Sequence, residues 1–324
     1  MNIDYYLQVG KGLRKFGYYV GHFAAYALPG AIYRSRLDSV MSSLSPQQKR
    51  ECERRCDYYN RMPQASPGSD WRSVGGYRFP FGEKKHYSTY FLEMQKCVRY
   101  FPPELLFSYR FGDVTEEPDE PAFVKSRPIT DGPTRSVVLK LDRIRHFNFV
   151  SDRIKWNDKR DMMVSRNVVR QPHRTLLMEQ CFGHPLCDLG QINTDMGRPE
   201  WVRPFMSVPD QLRYKFIACI EGNDVATNLK WVMSSNSLAV MPRPRYETWF
   251  MEGTLVPDEH YVSVKPDYSD LPDRLEYYLQ HPREAEDIIA NAHRYVDQFR
   301  DSRLELATSL AVTHKYFRLT GQLP

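Results

Sequence analysis

Three short apolar runs, FIACI (216–220), SLAVM (237–241) and YVSV (261–264), constrain the fold more than any other feature of the chain. Each is rich in β-branched or aromatic residues and reads as a buried strand. Between the first two, Val225, Leu229, Val232 and Met233 recur at helical spacing. Between the last two, YETWFMEG (246–253) reads as a short helix-like segment. Strand, helix, strand, helix, strand is the pattern of a parallel sheet with crossover helices. Such sheets bind ligands beyond the carboxyl ends of their strands. That rule points to EGND (221–224) and MPRP (241–244).

The flanking sequence extends the pattern. DMMVSR (161–166) and CDLGQI (187–192) read as strands, and PHRTLLMEQCF (172–182) as a helix that opens on proline. VPDQLRYKF (208–216) reads as a helix or part of one. Helical segments near 270–281, 283–299 and 302–318 close the chain, and the broad apolar face of the last is expected to pack back on the other half. Upstream, LLFSYRFGDV (105–114) reads as a strand ending at Gly112-Asp113, with AFVKSRPI (122–129) and SVVLKLD (136–142) as further strands. Residues 1–60 read as helical, with Ser45-Pro46 starting the last helix. The Pro-, Gly- and Ser-rich stretch 61–82 reads as a long loop, either acceptor-facing or a simple connector, and 86–100 returns to helix. The polar stretch SDRIKWNDKR (151–160) predicts domains over 1–155 and 156–300, with 301–324 as a helix crossing back.

At 324 residues the chain is long enough for two cores. A net charge of +5 suits a protein that holds phosphates or lies on an anionic membrane, and no dense Lys/Arg tract points to nucleic acid. The six cysteines fit a reducing compartment; Cys181, His184 and Cys187 have zinc-ligand character but lack a second pair at standard spacing. No run is long and apolar enough to cross a membrane. Residues 17–32 follow Lys11, Arg14 and Lys15 and fit either an amphipathic segment on a membrane surface or an ordinary packed helix.

Chemistry concentrates in three places. Arg166, Arg170 and Arg174 bracket a strand-to-helix turn, where guanidinium forks and a helix N-terminus together suit a diphosphate; surface ion pairing is the plain alternative. Asn223, Asp224, Thr227, Asn228 and Lys230 are expected at the start of the helix after FIACI, for phosphate contact or for capping by Asn223 or Asp224. Asp113, after a strand and a glycine, fits a general base or a turn residue. There is no P-loop, G-x-S-x-G, H-E-x-x-H, G-x-G-x-x-G or Asp-x-Asp pair.

The run EGNDVATNLKWVMSSNSLAVMPRPRYETWFMEG, followed by HYVSVKPDYSDL, resembles the C-terminal part of glycosyltransferase family 90. FGDVTEEPDEPAFVKSRPI and RQPHRTLLMEQCFGHPLCDLGQIN resemble its bacterial, lipopolysaccharide-modifying branch. The resemblance covers roughly residues 100–300 and is less distinct before that. It implies an α/β, GT-B type fold of two Rossmann-like domains facing a cleft, with an acceptor-side N-terminal domain and a nucleotide-sugar-binding C-terminal one. It implies inverting transfer without a metal or other cofactor, from a nucleotide sugar, usually a UDP-sugar. By position, Asp113 resembles the base, Arg166 the arginine that opens the diphosphate site, and Arg174 a later basic residue of that motif. Asn228 stands where animal members keep an arginine, with Lys230 as the substitute charge, and Asn167 replaces the usual glycine after Arg166. Arg170, Asn223 and Ser235 complete the expected donor set, and Glu247 or Glu252 is expected to hold the ribose hydroxyls.

These features predict a glycosyltransferase acting on a bacterial lipopolysaccharide or capsule glycan. It is expected in the cytoplasm, with peripheral contact to the inner membrane surface and no nucleic-acid partner. A catalytically inactive nucleotide-sugar-binding scaffold and a lumenal protein O-glycosyltransferase stay open as alternatives.

Overall fold

The computed structural model describes residues 3–79 and 87–324, with side chains from residue 15 onward. The side chains of Lys11 and Arg14, residues 80–82 of the expected loop and residue 86 of the expected helix therefore lie outside what is described. The chain forms two compact units. One comprises Met1–Arg145, Tyr246–Phe250 and Phe299–Pro324; the other comprises His146–Arg245 and Met251–Gln298.

The first unit is helical around a small sheet. Its longer helices are α1 (Ile3–Ala27), α2 (Pro46–Tyr59) and α3 (Ser88–Val98). A capping box starts α2: Ser45 Oγ accepts from the Gln48 N–H, and Gln48 Oε1 accepts from the Ser45 N–H. Strands β1 (Tyr109–Arg110), β2 (Ala122–Val124) and β3 (Ser136–Val138) lie parallel in that order. The C-terminal helix, Ser302–Leu319, packs against α2 and α3. Its Tyr316 ring lies 4.3 Å from that of Phe123 on β2, and its hydroxyl donates to the Pro121 carbonyl at 2.9 Å.

One segment departs from the sequence reading. Residues 246–253 are not helix-like: Tyr246–Thr248 is a strand antiparallel to Ser126–Pro128, and Glu252–Thr254 is a single 3-10 turn. Distant partners draw the segment out. Glu247 pairs with Arg127 Nε at 2.7 Å, and Trp249 stacks on Tyr59 at 3.9 Å.

The second unit is an α/β layer. Strands β4 (Arg160–Asn167), β5 (Cys187–Gln191), β6 (Tyr214–Ala218), β7 (Leu238–Met241) and β8 (Val262–Ser263) are all parallel, in the spatial order β8-β7-β6-β4-β5. Helices α4 (Pro172–Cys181), α5 (Leu271–Gln280) and α6 (Pro282–Asp297) each open on or next to a proline, where the missing N–H costs nothing. Met163, Phe216, Leu238, Val240, Val262, Leu275 and Ile288 form part of its core.

Here too one expectation fails. No helix begins at Asn223 or Asp224; the helix is only Leu229–Val232, and its N-cap residue Asn228 makes no side-chain cap bond. Asn228 instead donates to the Ala218 carbonyl at 2.9 Å, and Val225 and Ala226 are buried, so the segment follows the sheet in turns. All six cysteines are buried and free. Among the described residues no cluster of three metal-ligating side chains occurs, and no helix is long and apolar enough to cross a membrane.

Candidate active-site residues

In the second unit the chain passes from β4 to β5 on one side, then crosses to β6 on the other. The strand order therefore reverses between β4 and β6, and ligands of such sheets sit at that crevice, beyond the strand ends. Arg174, in the first turn of α4, ties the crevice together. Its Nη1 donates to the Val168 carbonyl at 2.8 Å, its Nη2 to Ile220 at 3.0 Å and its Nε to Glu221 at 2.8 Å. The Glu221 carboxylate accepts from the Arg245 N–H at 2.9 Å and from Arg245 Nε at 2.8 Å. Gln171 Nε2 donates to Asn223 Oδ1 at 3.0 Å, and the half-exposed Arg170 pairs with Asp195. Arginines from the turns after β4 and β7 thus gather at the carboxyl edge of this sheet.

In the first unit the same rule gathers a second set. Asp113 follows β1, Lys125 immediately follows β2, and Asp142 follows β3. Gly112 adopts φ +98°, a left-handed conformation that glycine enters without strain, and so turns the chain into Asp113. The Asp113 carboxylate is 35% exposed and pairs at 2.7 Å with the ammonium of Lys125, which is buried. Asp113 opens onto a cavity of about 630 Å³ walled by Tyr19, Tyr87, Tyr90, Thr89 and Asp142, a size typical of small-molecule sites. The Tyr19 hydroxyl lies 2.9 Å from Ser88 Oγ, which fixes one wall. Burial raises the Asp142 carboxyl above its usual range; Arg145, Thr89 and Lys125 oppose the shift, and Asp113 adds to it.

Residues 142–304 match the family described as Glycosyl transferase family 90. Over 269 residues the chain is 44% identical to the O-glucosyltransferase LpsA of Dichelobacter nodosus, covering 82% of this chain and 83% of that protein. The chain belongs to glycosyl transferase family 90. A second relative, Uncharacterized protein 035R of Invertebrate iridescent virus 3, is 31% identical over 108 residues, 28% of this chain and 10% of that protein. The protein is a glycosyltransferase.

Several residues expected at this glycosyltransferase's donor site have other partners in the structure. Arg166 turns onto the sheet face, where its Nη2 meets Asp188 Oδ1 at 2.6 Å, and its side chain is 7% exposed. Burial pushes the Asp188 carboxyl up, but hydrogen bonds from Tyr214 and Arg166 and the charges of Arg166 and Arg160 together outweigh it and hold the group below its usual range. Lys230 and Glu252 are buried in an ion pair with each other. Ser235 is buried, donating to the Val232 carbonyl at 2.7 Å. Glu247 is buried in the first unit against Arg127, Arg61 and Tyr58. Arg170, Arg174 and Asn223 are the expected residues that lie at the carboxyl edge of the parallel sheet.

Sequence reasoning missed Asp142, Lys125, Arg245 and the three tyrosines. Asp142 was within reach: the strand-end rule applied to LLFSYRFGDV was equally valid for SVVLKLD. The tyrosines had no such signal, since Tyr19 and Tyr87 are far apart in sequence.

Proposed function

We propose that this glycosyltransferase has a GT-B arrangement and moves a sugar, with inversion, from a UDP-sugar to a hydroxyl of a bacterial lipopolysaccharide or capsule glycan. The observation that carries the reading is the half-exposed carboxylate of Asp113 at the mouth of a tyrosine-walled cavity, anchored by a buried lysine. Asp113 takes the proton of the acceptor hydroxyl as that oxygen attacks the anomeric carbon. The bond from that carbon to the diphosphate breaks on the opposite face, and the diphosphate leaves with the electron pair. Arg170, Arg174 and Arg245 supply the positive edge that stabilises the leaving group, so this chemistry needs no metal or other cofactor. Arg166 serves the donor edge by fixing β4 to β5 through Asp188. The name of the bacterial relative, an O-glucosyltransferase, supports a glucosyl donor and a hydroxyl acceptor.

The working place in this reading is the cytoplasm, against the inner membrane surface. Support comes from Phe16, Val20, Leu28 and Ile32, which are exposed close to Lys15, Arg34 and Arg36.

Asp113→Asn tests the assignment. Transfer is expected to fall by about 10²–10⁴-fold, while UDP affinity measured by calorimetry stays unchanged. Transfer at the wild-type rate would remove Asp113 from the mechanism.

A further inference from the structure

Asp142 combines features that the proposed transfer step leaves unused. It is buried at 1% exposure, yet it lines the same cavity as Asp113. Its φ is +55°, in the left-handed region that aspartate and asparagine enter more readily than other residues with a Cβ. Its carboxylate is aimed by two side chains: Thr89 Oγ1 donates to Oδ1 at 3.1 Å, and Arg145 Nη1 to Oδ2 at 3.1 Å. Each carboxylate oxygen can accept a further hydrogen bond, because an ionised carboxylate offers about four acceptor sites.

The chemistry of the cavity selects its ligand class. Asp113 is paired with Lys125 and Asp142 with Arg145, so these charges balance, and with Lys15 as the further cation on its lining the cavity lacks the concentrated positive charge that the donor's diphosphate needs. Two carboxylates, a threonine hydroxyl and tyrosine hydroxyls suit a ligand that donates many hydrogen bonds. The tyrosine rings offer flat apolar faces to C–H groups. An uncharged, hydroxyl-rich ring satisfies both demands.

We propose that this cavity is an acceptor-sugar subsite and that Asp142 is an acceptor-binding residue, accepting a hydrogen bond from a second hydroxyl of the pyranose whose attacking hydroxyl faces Asp113. The assignment rests on the reading of Asp113 as the base. Asp142 acts on the acceptor ring alone: it turns the ring so that one hydroxyl, and not its neighbours, meets the base.

The test uses the full chain and a panel of methyl glycopyranosides of gluco, galacto and manno configuration. Binding is read by saturation-transfer NMR, and transfer from labelled UDP-glucose to the same glycosides is read alongside. Asp142→Asn is the decisive variant. Asparagine tolerates the left-handed backbone, its amide oxygen can still accept from Thr89, and the Arg145 guanidinium that loses its partner is 61% exposed and is taken up by water, so the fold is kept while a carboxylate acceptor becomes a donor. The expected result is a tenfold or greater rise (about 1.4 kcal/mol) in KM for the glycoside, with UDP affinity and thermal midpoint unchanged. Asp113→Asn is expected to show the opposite pattern, with glycoside binding kept and transfer lost. An unchanged glycoside KM in Asp142→Asn overturns the inference, as does a fall in thermal midpoint with equal losses for donor and acceptor. Absence of saturation transfer from every glycoside to the wild-type protein overturns it as well. Failure of the base assignment looks different, because Asp113→Asn would then remain active whatever Asp142→Asn does.

Discussion

Lys230 and Glu252 show how burial separates a structural charge from a binding one. Their side chains are 0% and 1% exposed and pair at 2.5 Å. Removing one member of such a pair leaves the other charge without its main compensation, which costs about 3–5 kcal/mol. Lys230→Met should therefore lower the urea midpoint by a corresponding amount. The fraction that remains folded should bind UDP as the wild type does, because the ammonium points into the core. A variant of normal stability with weakened nucleotide affinity would return Lys230 to the donor site. Arg166 follows the same logic on a smaller scale. Its position at the end of a strand was legible in DMMVSR, but the direction of its guanidinium was not. That direction depends on Asp188, which lies on the neighbouring strand, 22 residues further along the chain.

At the scale of elements, α3 and the turn after β3 meet through one buried carboxyl. Glu93 Oε2 accepts from the Arg143 N–H at 2.9 Å, at the start of the short helix Arg143–His146. Burial pushes the Glu93 carboxyl up from 4.5 to about 7, although hydrogen bonds from Arg143 and Tyr18 oppose the shift. A carboxyl raised in the folded state binds more protons there than when unfolded. Its contribution is therefore fully present below about pH 4.5 and is lost as pH rises through about 7. Glu93→Gln removes this titration, so the variant should gain on the wild type between those limits, by up to about 3 kcal/mol at pH 8. Urea midpoints at pH 4.5 and pH 8 check it; a gap that stays constant across the range would contradict the sign. Elements with a self-sufficient local pattern were readable beforehand. Ser45, Pro46 and Gln48 carry the whole start of α2 within four residues, and the apolar runs at β6, β7 and β8 announce themselves. Residues 223–228 and 246–250 were not readable, because Asn228 answers to a strand ten residues back and Glu247 to Arg127, 120 residues away. No spacing within either segment reports such partners.

The whole molecule is threaded so that one unit is almost continuous. Residues 146–298 contain all of the second unit, and only the five residues Tyr246–Phe250 leave it for the first. The first unit needs three separate pieces of chain, including the C-terminal helix with its buried Leu304, Leu310, Tyr316 and Phe317. The parallel sheet, the α4 turn and Arg170, Arg174 and Arg245 all belong to the nearly continuous unit. If the donor edge is self-contained, a fragment spanning 146–298 should fold and hold UDP without the rest. The obstacle is the five-residue excursion, whose Trp249 and Phe250 are fully buried in the complete chain and would be bare in the fragment. Exposed aromatic surface of that kind drives association, so the fragment as it stands should aggregate. Trp249→Ser and Phe250→Ser together remove that surface without touching the sheet. The doubly substituted fragment is expected to be monomeric, to show a mixed α/β circular dichroism spectrum, and to bind UDP within about threefold of the full chain. A fragment that folds but no longer binds would mean that the donor edge draws on residues outside 146–298, and the assignment to Arg170, Arg174 and Arg245 would be incomplete.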